Sequence, residues 1–347
     1  MTPALAVAHE LKSRGAAVSF ATTPSQVERV GREFPAYPID MRGFERRLLA
    51  RENLTTLRRL AAAAPNAWRA VSRVQPAVAI GAGGYVSGPV VVLAALRGVP
   101  SLALEADSHL GVTNQLLRPF VKRICLSFPI AGLTPPKYIV TGRALTRAQA
   151  DASAEEGRRL FDVSADVPVV VAFGGSQGAQ SINRALLDAF AGKQLDFQLL
   201  HLTGERNYPQ VAAEHALLGT DPSRYKVLAY TDRLADAMAA ADLVIGRSGG
   251  SVAELAALGK PAILVPYPYA SADHQRKNAE WMVAGGAAVL IDDADLDGER
   301  LGAIVRALLA DEERLRRMAS ASSALGRPHA TQAIADEVEA VMEGRST

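Results

Sequence analysis

Between Asp242 and Asn278 the chain reads DLVIGRSGGSVAELAALGKPAILVPYPYASADHQRKN, and no other stretch restricts the fold as tightly. The apolar run Leu243–Ile245 is short and ends in Arg247-Ser248-Gly249-Gly250-Ser251, the pattern of a buried parallel strand feeding a helix through a turn of small residues. Ser251 is placed to cap that helix, and Glu254 stands three residues on, the spacing of a capping box. Amides exposed at such a helix start suit a phosphate. Gly259 ends the helix, Ala262–Val265 makes the next strand, and Pro266 and Pro268 open a loop carrying Asp273, His274, Gln275 and Asn278. Strand, turn, helix and strand in this order predict an α/β domain with a parallel sheet, its polar groups gathered at one sheet edge.

The same unit recurs. Val167–Phe173 is a β-branched strand followed by Gly174-Gly175-Ser176-Gln177-Gly178-Ala179 and a helix over Ile182–Phe190. Ala77–Ile80 leads through Gly81-Ala82-Gly83-Gly84-Tyr85 into a helix from about Ser87. A single glycine turn is equally compatible with tight strand-to-helix geometry alone. Further strands are expected at Leu102–Leu104, Ile124–Ser127, Tyr138–Val140, Phe197–Leu202, Val227–Ala229 and Ala287–Ile291, with His201 a core or edge residue. Glu105, Asp107 and His109 follow one of these strands, where α/β sheets place their ligands. A charged helix, Ser153–Phe161, and a polar turn mark the boundary between two domains, 1–147 and 166–325, with 148–165 as linker. The first domain opens on a helix, Pro3 to Gly15, before its strand Ala17–Ala21, although an alternating domain would place a strand and glycine turn ahead of it.

At 347 residues, with 49% hydrophobic and 21% charged, the composition is globular. A net charge of only +2 gives no global field for nucleic acid. The single cysteine, Cys125, lies in an apolar run, excludes an internal disulfide and reads as a buried strand residue. Val74–Leu96 carries no charge, but Pro76, Gly81, Gly83, Gly84, Gly88 and Pro89 divide it, which argues against a membrane span. From Arg42 to Arg73 eight arginines stand against two glutamates, interleaved with Leu48, Leu49, Leu54, Leu57, Leu60 and Trp68. That pattern suits an anionic membrane surface, but by pattern alone a solvated face over leucines packed on the domain's own sheet is the favoured reading. The acids Asp292, Asp293, Asp295 and Asp297 precede a helix near Gly298, where carboxylates cap amides, and no metal site is expected there.

Five segments carry a resemblance: GGYVSGP (Gly83–Pro89), GGSQGA (Gly174–Ala179), RSGGSVAE (Arg247–Glu254), PAILVPYP (Pro261–Pro268) and DHQRKNA (Asp273–Ala279). In this order they resemble the MurG family of glycosyltransferase family 28, the undecaprenyldiphospho-muramoylpentapeptide N-acetylglucosaminyltransferases. The resemblance spans nearly the whole chain. It implies a GT-B fold of two Rossmann-like domains facing a cleft, with a C-terminal helix (326–347) crossing back to the first domain. It implies inverting transfer of N-acetylglucosamine from UDP-GlcNAc to the C4 hydroxyl of the muramoyl sugar in lipid I, without a cofactor or essential metal. Glu254 would hold the ribose hydroxyls, and Thr231 and Leu234 would border the uracil. Gly175, Ser176, Gln177 and Gly178, with Arg247, Ser248, Gly249, Gly250 and Ser251, would face the diphosphate. His274, Gln275 and Asn278 would hold the sugar hydroxyls, and Arg143 or Arg147 would supply a nearby arginine. Acceptor contacts would fall at Gly83, Gly84, Tyr85, Ser87 and Asn114. Glu105 leads the candidates for general base, with Asp107 and His109 behind it, because deprotonating a hydroxyl needs a carboxylate or imidazole. The family works at the cytoplasmic face of the bacterial membrane as a peripheral protein, which favours membrane contact by the Arg42–Arg73 region.

The chain departs from the family in three places. Members carry a strand and a GGTGGH-like loop before the proline that is Pro3 here, so a start assigned too late is the expectation; without that segment a slot in the sheet would stay open. The family's HEQN stands here as Leu104-Glu105-Ala106-Asp107, and its TGNPVR as Thr141-Gly142-Arg143-Ala144-Leu145-Thr146. The alternatives are a truncated, non-catalytic UDP-sugar-binding protein, and a related GT-B transferase or epimerase acting on another acceptor.

Overall fold

The computed structural model describes residues 2–39, 64–84, 86–175, 178–270 and 273–345. They form two compact units, residues 1–146 with 329–347, and residues 147–328.

The second unit holds one six-stranded parallel sheet in the order β12-β11-β10-β7-β8-β9. Its strands are β7 (Val169–Phe173), β8 (Gln198–Leu202), β9 (Tyr225–Leu228), β10 (Leu243–Gly246), β11 (Ala262–Leu264) and β12 (Ala288–Leu290). Every residue of β7, β8, β10 and β11 is buried, because helices cover both faces, and this is why all of these strands but β8, which carries Gln198 and His201, read as continuous apolar runs. Val170, Leu199, Leu243, Ile245 and Ile263 pack with Ile182, Leu186 and Phe190 of the helix Gln180–Phe190 and with Leu301, Val305 and Leu308 of the helix Gly298–Ala310. The chain builds β7, β8 and β9 outward in one direction, then returns to lay β10, β11 and β12 on the other side of β7. The strand order therefore reverses between β7 and β10.

The first unit has a four-stranded parallel sheet, β3 (Ala79–Gly81), β4 (Ser101–Glu105), β5 (Arg123–Leu126) and β6 (Tyr138–Val140). A separate parallel pair joins β1 (Phe20–Thr22) and β2 (Ala36–Pro38), so β1 and β3 each keep an unpaired edge among the described residues. The helix Ala330–Met342 packs Ile334, Ala335, Val338 and Val341 against Val7 and Leu11 of the helix Thr2–Ser13 and against Leu102, Leu104 and Cys125. Arg14 reinforces this contact by pairing with Asp336 at 2.6 Å. The uncharged stretch Val74–Leu96 divides as expected, into β3, a glycine turn and the helix Ser87–Leu96. No helix among the described residues is long and apolar enough to cross a membrane.

Every expected strand is present, with shifts at the ends. The first begins at Phe20 rather than Ala17, and β9 starts two residues earlier than expected. His274, Gln275 and Asn278, expected in a loop, lie on the helix His274–Ala284.

Candidate functional site

The reversal of strand order puts the two glycine turns of the second unit side by side. Phe173, the last residue of β7, is in register with Gly246, the last of β10, and each is followed at once by its turn, 174–179 and 247–250. A crevice at such a switch point, outside the carboxyl ends of the strands, is where open α/β sheets take ligands. The helices Gln180–Phe190 and Ser251–Ala257 start there.

Glycine is required in the first turn for two reasons. At Gly174 a side chain would lie 2.1 Å from the Ala179 amide nitrogen, so the turn closes on the space a Cβ would fill. Gly175 and Gly178 have φ of +83° and +76°, and at Gly178 a Cβ would meet the Thr203 carbonyl at 2.3 Å. Gly178 thus presses the turn against the end of β8. Ser176 and Gln177 lie outside the described residues.

The second turn departs from expectation at its cap. The helix begins at Ser251 itself, with Gly250 at the cap and no side-chain cap bond. The Ser251 hydroxyl donates back to the Arg247 carbonyl at 3.3 Å, so the expected capping box with Glu254 does not form. The hydroxyl hydrogen goes to a carbonyl of the preceding turn, and the serine, already inside the helix, is not its cap. Glu254 is half-buried on the same helix. Gly249 and Gly250 are partly open, whereas Ser248 is fully buried and its hydroxyl has no hydrogen-bond partner among the described residues.

Arg247, expected to face the diphosphate, is engaged elsewhere. Its guanidinium donates to Asp293 Oδ1 at 2.5 Å, to Ser181 Oγ at 2.9 Å and to the carbonyls of Val265 and Pro266 at 3.2 Å. Asp293 was expected to serve the helix at Gly298; that cap is Asp297, which accepts from the Arg300 amide at 2.7 Å.

The helix after β11 supplies the remaining groups. Gln275 accepts from the Tyr267 amide at 2.9 Å through Oε1, and its Nε2 lies beside Gly249. His274 opens the helix after Asp273, which has φ of +55°. Asn278 is fully buried and donates to the Ser248 carbonyl at 3.1 Å, which holds the second turn against this helix. Thr231 and Leu234 flank the start of the helix Leu234–Ala240, with the Thr231 hydroxyl accepting from the Arg233 amide at 3.0 Å.

In the first unit Glu105 is 6% exposed and its carboxylate is occupied. Oε1 accepts from the Asp107 amide at 3.2 Å, and Oε2 accepts from the Gly111 amide and from Asn114 Nδ2, both at 2.8 Å. Such a carboxylate anchors the loop 105–111. Asn114, expected at the acceptor, is itself buried and donates also to the Leu104 carbonyl. Asp107 and His109 are half-buried on this loop, and Arg143 donates to the Ala106 carbonyl at 3.3 Å. Arg147 is exposed and pairs with Asp151. Gly83 and Gly84 have φ of +84° and +72° with open space around them, and the Ser87 hydroxyl donates to the Gly84 carbonyl at 2.8 Å. Tyr85 and most of the arginine-rich region, residues 40–63, lie outside the described residues.

A buried polar network was not foreseen. Asn183 Nδ2 donates to the Thr203 carbonyl at 3.0 Å, which leaves its Oδ1 to accept from His201 Nε2 at 2.9 Å; His201 Nδ1 then accepts the Tyr225 hydroxyl at 2.9 Å. Burial, with His215 adding to it, pushes the His201 imidazole down to about 3, so it is neutral. The available signal was Asn183, a polar residue on the otherwise apolar face of its helix.

Comparison with known proteins agrees with this architecture. The glycosyltransferase family 28 N-terminal domain matches residues 1–126, and the family's C-terminal domain matches residues 169–336. The UDP-N-acetylglucosamine--N-acetylmuramyl-(pentapeptide) pyrophosphoryl-undecaprenol N-acetylglucosamine transferase of Halothermothrix orenii is 35% identical over 99% of this chain and 96% of that protein. The protein of that name from Moorella thermoacetica is 39% identical over 96% of this chain and 93% of its own length. The crystal structure of Acinetobacter baumannii MurG superposes with a TM-score of 0.77 and 28% identity, covering 97% of this chain and 95% of that one. The calicheamicin glycosyltransferase (TM-score 0.70, 19% identical, covering 98% of this chain and 94% of its own) shares the fold alone. With both domains matched and full-length relatives above 30% identity, this chain belongs to glycosyltransferase family 28 and, within it, to the MurG family of GT-B N-acetylglucosaminyltransferases.

Proposed function

We propose that this protein transfers N-acetylglucosamine from UDP-GlcNAc to the C4 hydroxyl of the muramoyl sugar of undecaprenyl-diphospho-muramoylpentapeptide, with inversion at the sugar. The observation that carries the reading is the pair of glycine turns on adjacent strand ends at the switch point, within a chain of this family. The amides of 174–179 and 249–251 receive the diphosphate, with Ser176 and Gln177 alongside. Glu254 takes the ribose hydroxyls, Thr231 and Leu234 border the uracil, and His274 and Gln275 hold the sugar. As the acceptor oxygen forms its bond to C1, the bond from C1 to the diphosphate breaks and a base takes the hydroxyl proton. Charge then builds on the departing UDP, and oriented amides stabilise it without reorganising, an effect worth roughly 10²–10³ in rate for each donor. With Glu105 occupied as loop anchor, Asp107 and His109 are the candidates for that base.

The lipid-linked acceptor calls for contact with a membrane surface. Val112 and Leu116 are exposed one turn apart on the helix Val112–Leu117, Phe120 is exposed just after it, with Arg118 and Lys122 next in sequence, and Leu96 is exposed beside Arg97, whose guanidinium lies 4.7 Å from the exposed Trp68 ring. Apolar side chains rimmed by cations suit an anionic interface, at the cytoplasmic face where the donor is available.

Incubation with radiolabelled UDP-GlcNAc and a lipid I analogue tests the reaction. Label in a disaccharide-lipid product is expected. Label recovered only as free sugar or as an epimerised nucleotide sugar would overturn the proposal.

A further inference from the structure

We propose that Asp293 is a positioning residue for the nucleotide-sugar donor: one of its carboxylate oxygens ties together the residues that flank both glycine turns and so sets their spacing. Asp293 Oδ1 accepts from the Arg247 guanidinium at 2.5 Å and from the Ser181 hydroxyl at 2.6 Å. Arg247 directly follows the last residue of β10 and opens the second turn. Ser181 is the second residue of the helix that leaves the first turn. The third side of the triangle is closed by Arg247 donating to Ser181 at 2.9 Å, and the carbonyls of Val265 and Pro266 tie in the end of β11. The Tyr267 ring lies 5.5 Å from the guanidinium, and the arginine side chain is only 11% exposed.

The location separates this pair from an ordinary stabilising ion pair. Hydrogen bonding between β7 and β10 aligns the strands as far as Phe173 and Gly246, and beyond those residues nothing in the ladder dictates where the turns point. The clamp joins Arg247, directly past that limit on one side, to Ser181 at the start of the helix that leaves the first turn on the other. A second consequence is electrostatic. The guanidinium offsets a carboxylate that would otherwise stand, unpaired, close to the place where a diphosphate must bind, and an isolated charge in a partly buried site acts over several ångströms.

The inference rests on the donor reading of the two turns. It predicts an unusual ranking of variants. Asp293→Asn loosens the clamp and should raise KM for UDP-GlcNAc about 3- to 30-fold, with kcat and the acceptor KM changing far less. Arg247→Met leaves the carboxylate uncompensated and should be worse than Asp293→Asn. The double variant Arg247→Met/Asp293→Asn, which removes both charges, should recover part of the loss seen in Arg247→Met alone. Asp293→Glu, which keeps the charge, should lie closest to the parent. Ser181→Ala, removing only a hydroxyl, should show a smaller rise in donor KM and serves if Asp293→Asn does not fold.

The experiment measures UDP affinity by calorimetry, donor KM, kcat and thermal midpoint for this set, with Gly178→Ala as a variant that obstructs the first turn. Donor affinity falling in the stated order, while the thermal midpoints of the Arg247, Asp293 and Ser181 variants stay together, supports the proposal. Midpoints that fall in the same order as affinity would overturn it in favour of a purely structural role. If Gly178→Ala weakens UDP binding while Asp293→Asn and Ser181→Ala do not, the clamp has no positioning role and the donor reading stands. If none of them changes UDP affinity, the donor reading fails and this inference with it.

Discussion

His201 Nε2 lies 2.9 Å from Asn183 Oδ1 in a part of the core where the imidazole is fully buried. The ring is neutral down to about 3 in the folded protein, whereas in the unfolded chain it titrates near the usual value of about 6.5. Between those values the unfolded chain binds a proton that the folded chain refuses. Stability from this group is therefore complete above about pH 6.5 and is lost as pH falls, by about 1.4 kcal/mol per unit. Urea denaturation between pH 7 and 4.5 should give a His201→Gln variant with a flatter pH dependence than the parent. Parallel pH profiles would refute this assignment.

Gly178 meets the Thr203 carbonyl, and an alanine there must shift the turn, since the built Cβ stands 2.3 Å from that oxygen at φ of +76°. Strain and displacement together should cost about 2–4 kcal/mol of stability and reduce UDP affinity at least about tenfold. Gly15→Ala provides the contrast, because φ is +88° there but nothing lies within 4 Å. Calorimetric titration with UDP should separate the two: Gly15→Ala loses some stability and no affinity.

Glu105→Ala would strand the Asp107 and Gly111 amides and the Asn114 side-chain amide around an emptied, mostly buried position. Unsatisfied buried donors of this number should lower stability by about 2–4 kcal/mol. A residue serving only as base would instead lower kcat with little change in the denaturation midpoint. Glu105→Gln keeps one acceptor oxygen and should retain much of the stability. Equal denaturation curves for parent and alanine variant would count against the anchor role.

Cys125, in β5, is buried, and that burial, with the negative charge of Glu337 adding to it, pushes its thiol up to about 12. The thiolate is the reactive form, so the native protein should resist maleimide and aromatic disulfide reagents near pH 8. Labelling should appear only with unfolding, and its rate in urea would report opening of the first unit's sheet. Fast stoichiometric labelling of native protein would refute the burial.

Legibility in the sequence followed how local each feature is. Alternating apolar runs and glycine turns marked nearly every strand and helix, because a strand buried on both faces needs an uninterrupted apolar run and a turn with positive φ needs glycine. Side-chain duties were read less well. The Ser251–Glu254 spacing matched a capping box, but the Ser251 hydroxyl found the Arg247 carbonyl instead. Asp293 sat among acids that fit a helix start, and only Asp297 does that work. Glu105 carried the chemistry of a general base, yet its carboxylate is buried and holds backbone in place.

The amino-acid sequence by itself determined the α/β class, the parallel sheets and the glycine positions, since propensity, periodicity and backbone sterics act within a few residues. It also determined family membership, through five motifs in a fixed order. Tertiary structure alone decided that β10 returns to lie beside β7, which places two turns seventy residues apart at one crevice, in the register of Gly246 with Phe173. It also decided that Arg247 spends its charge on Asp293 and Ser181. Partners distant along the chain meet only after the sheet has assembled, and a polar side chain's role is set by whichever partner the packing leaves within reach.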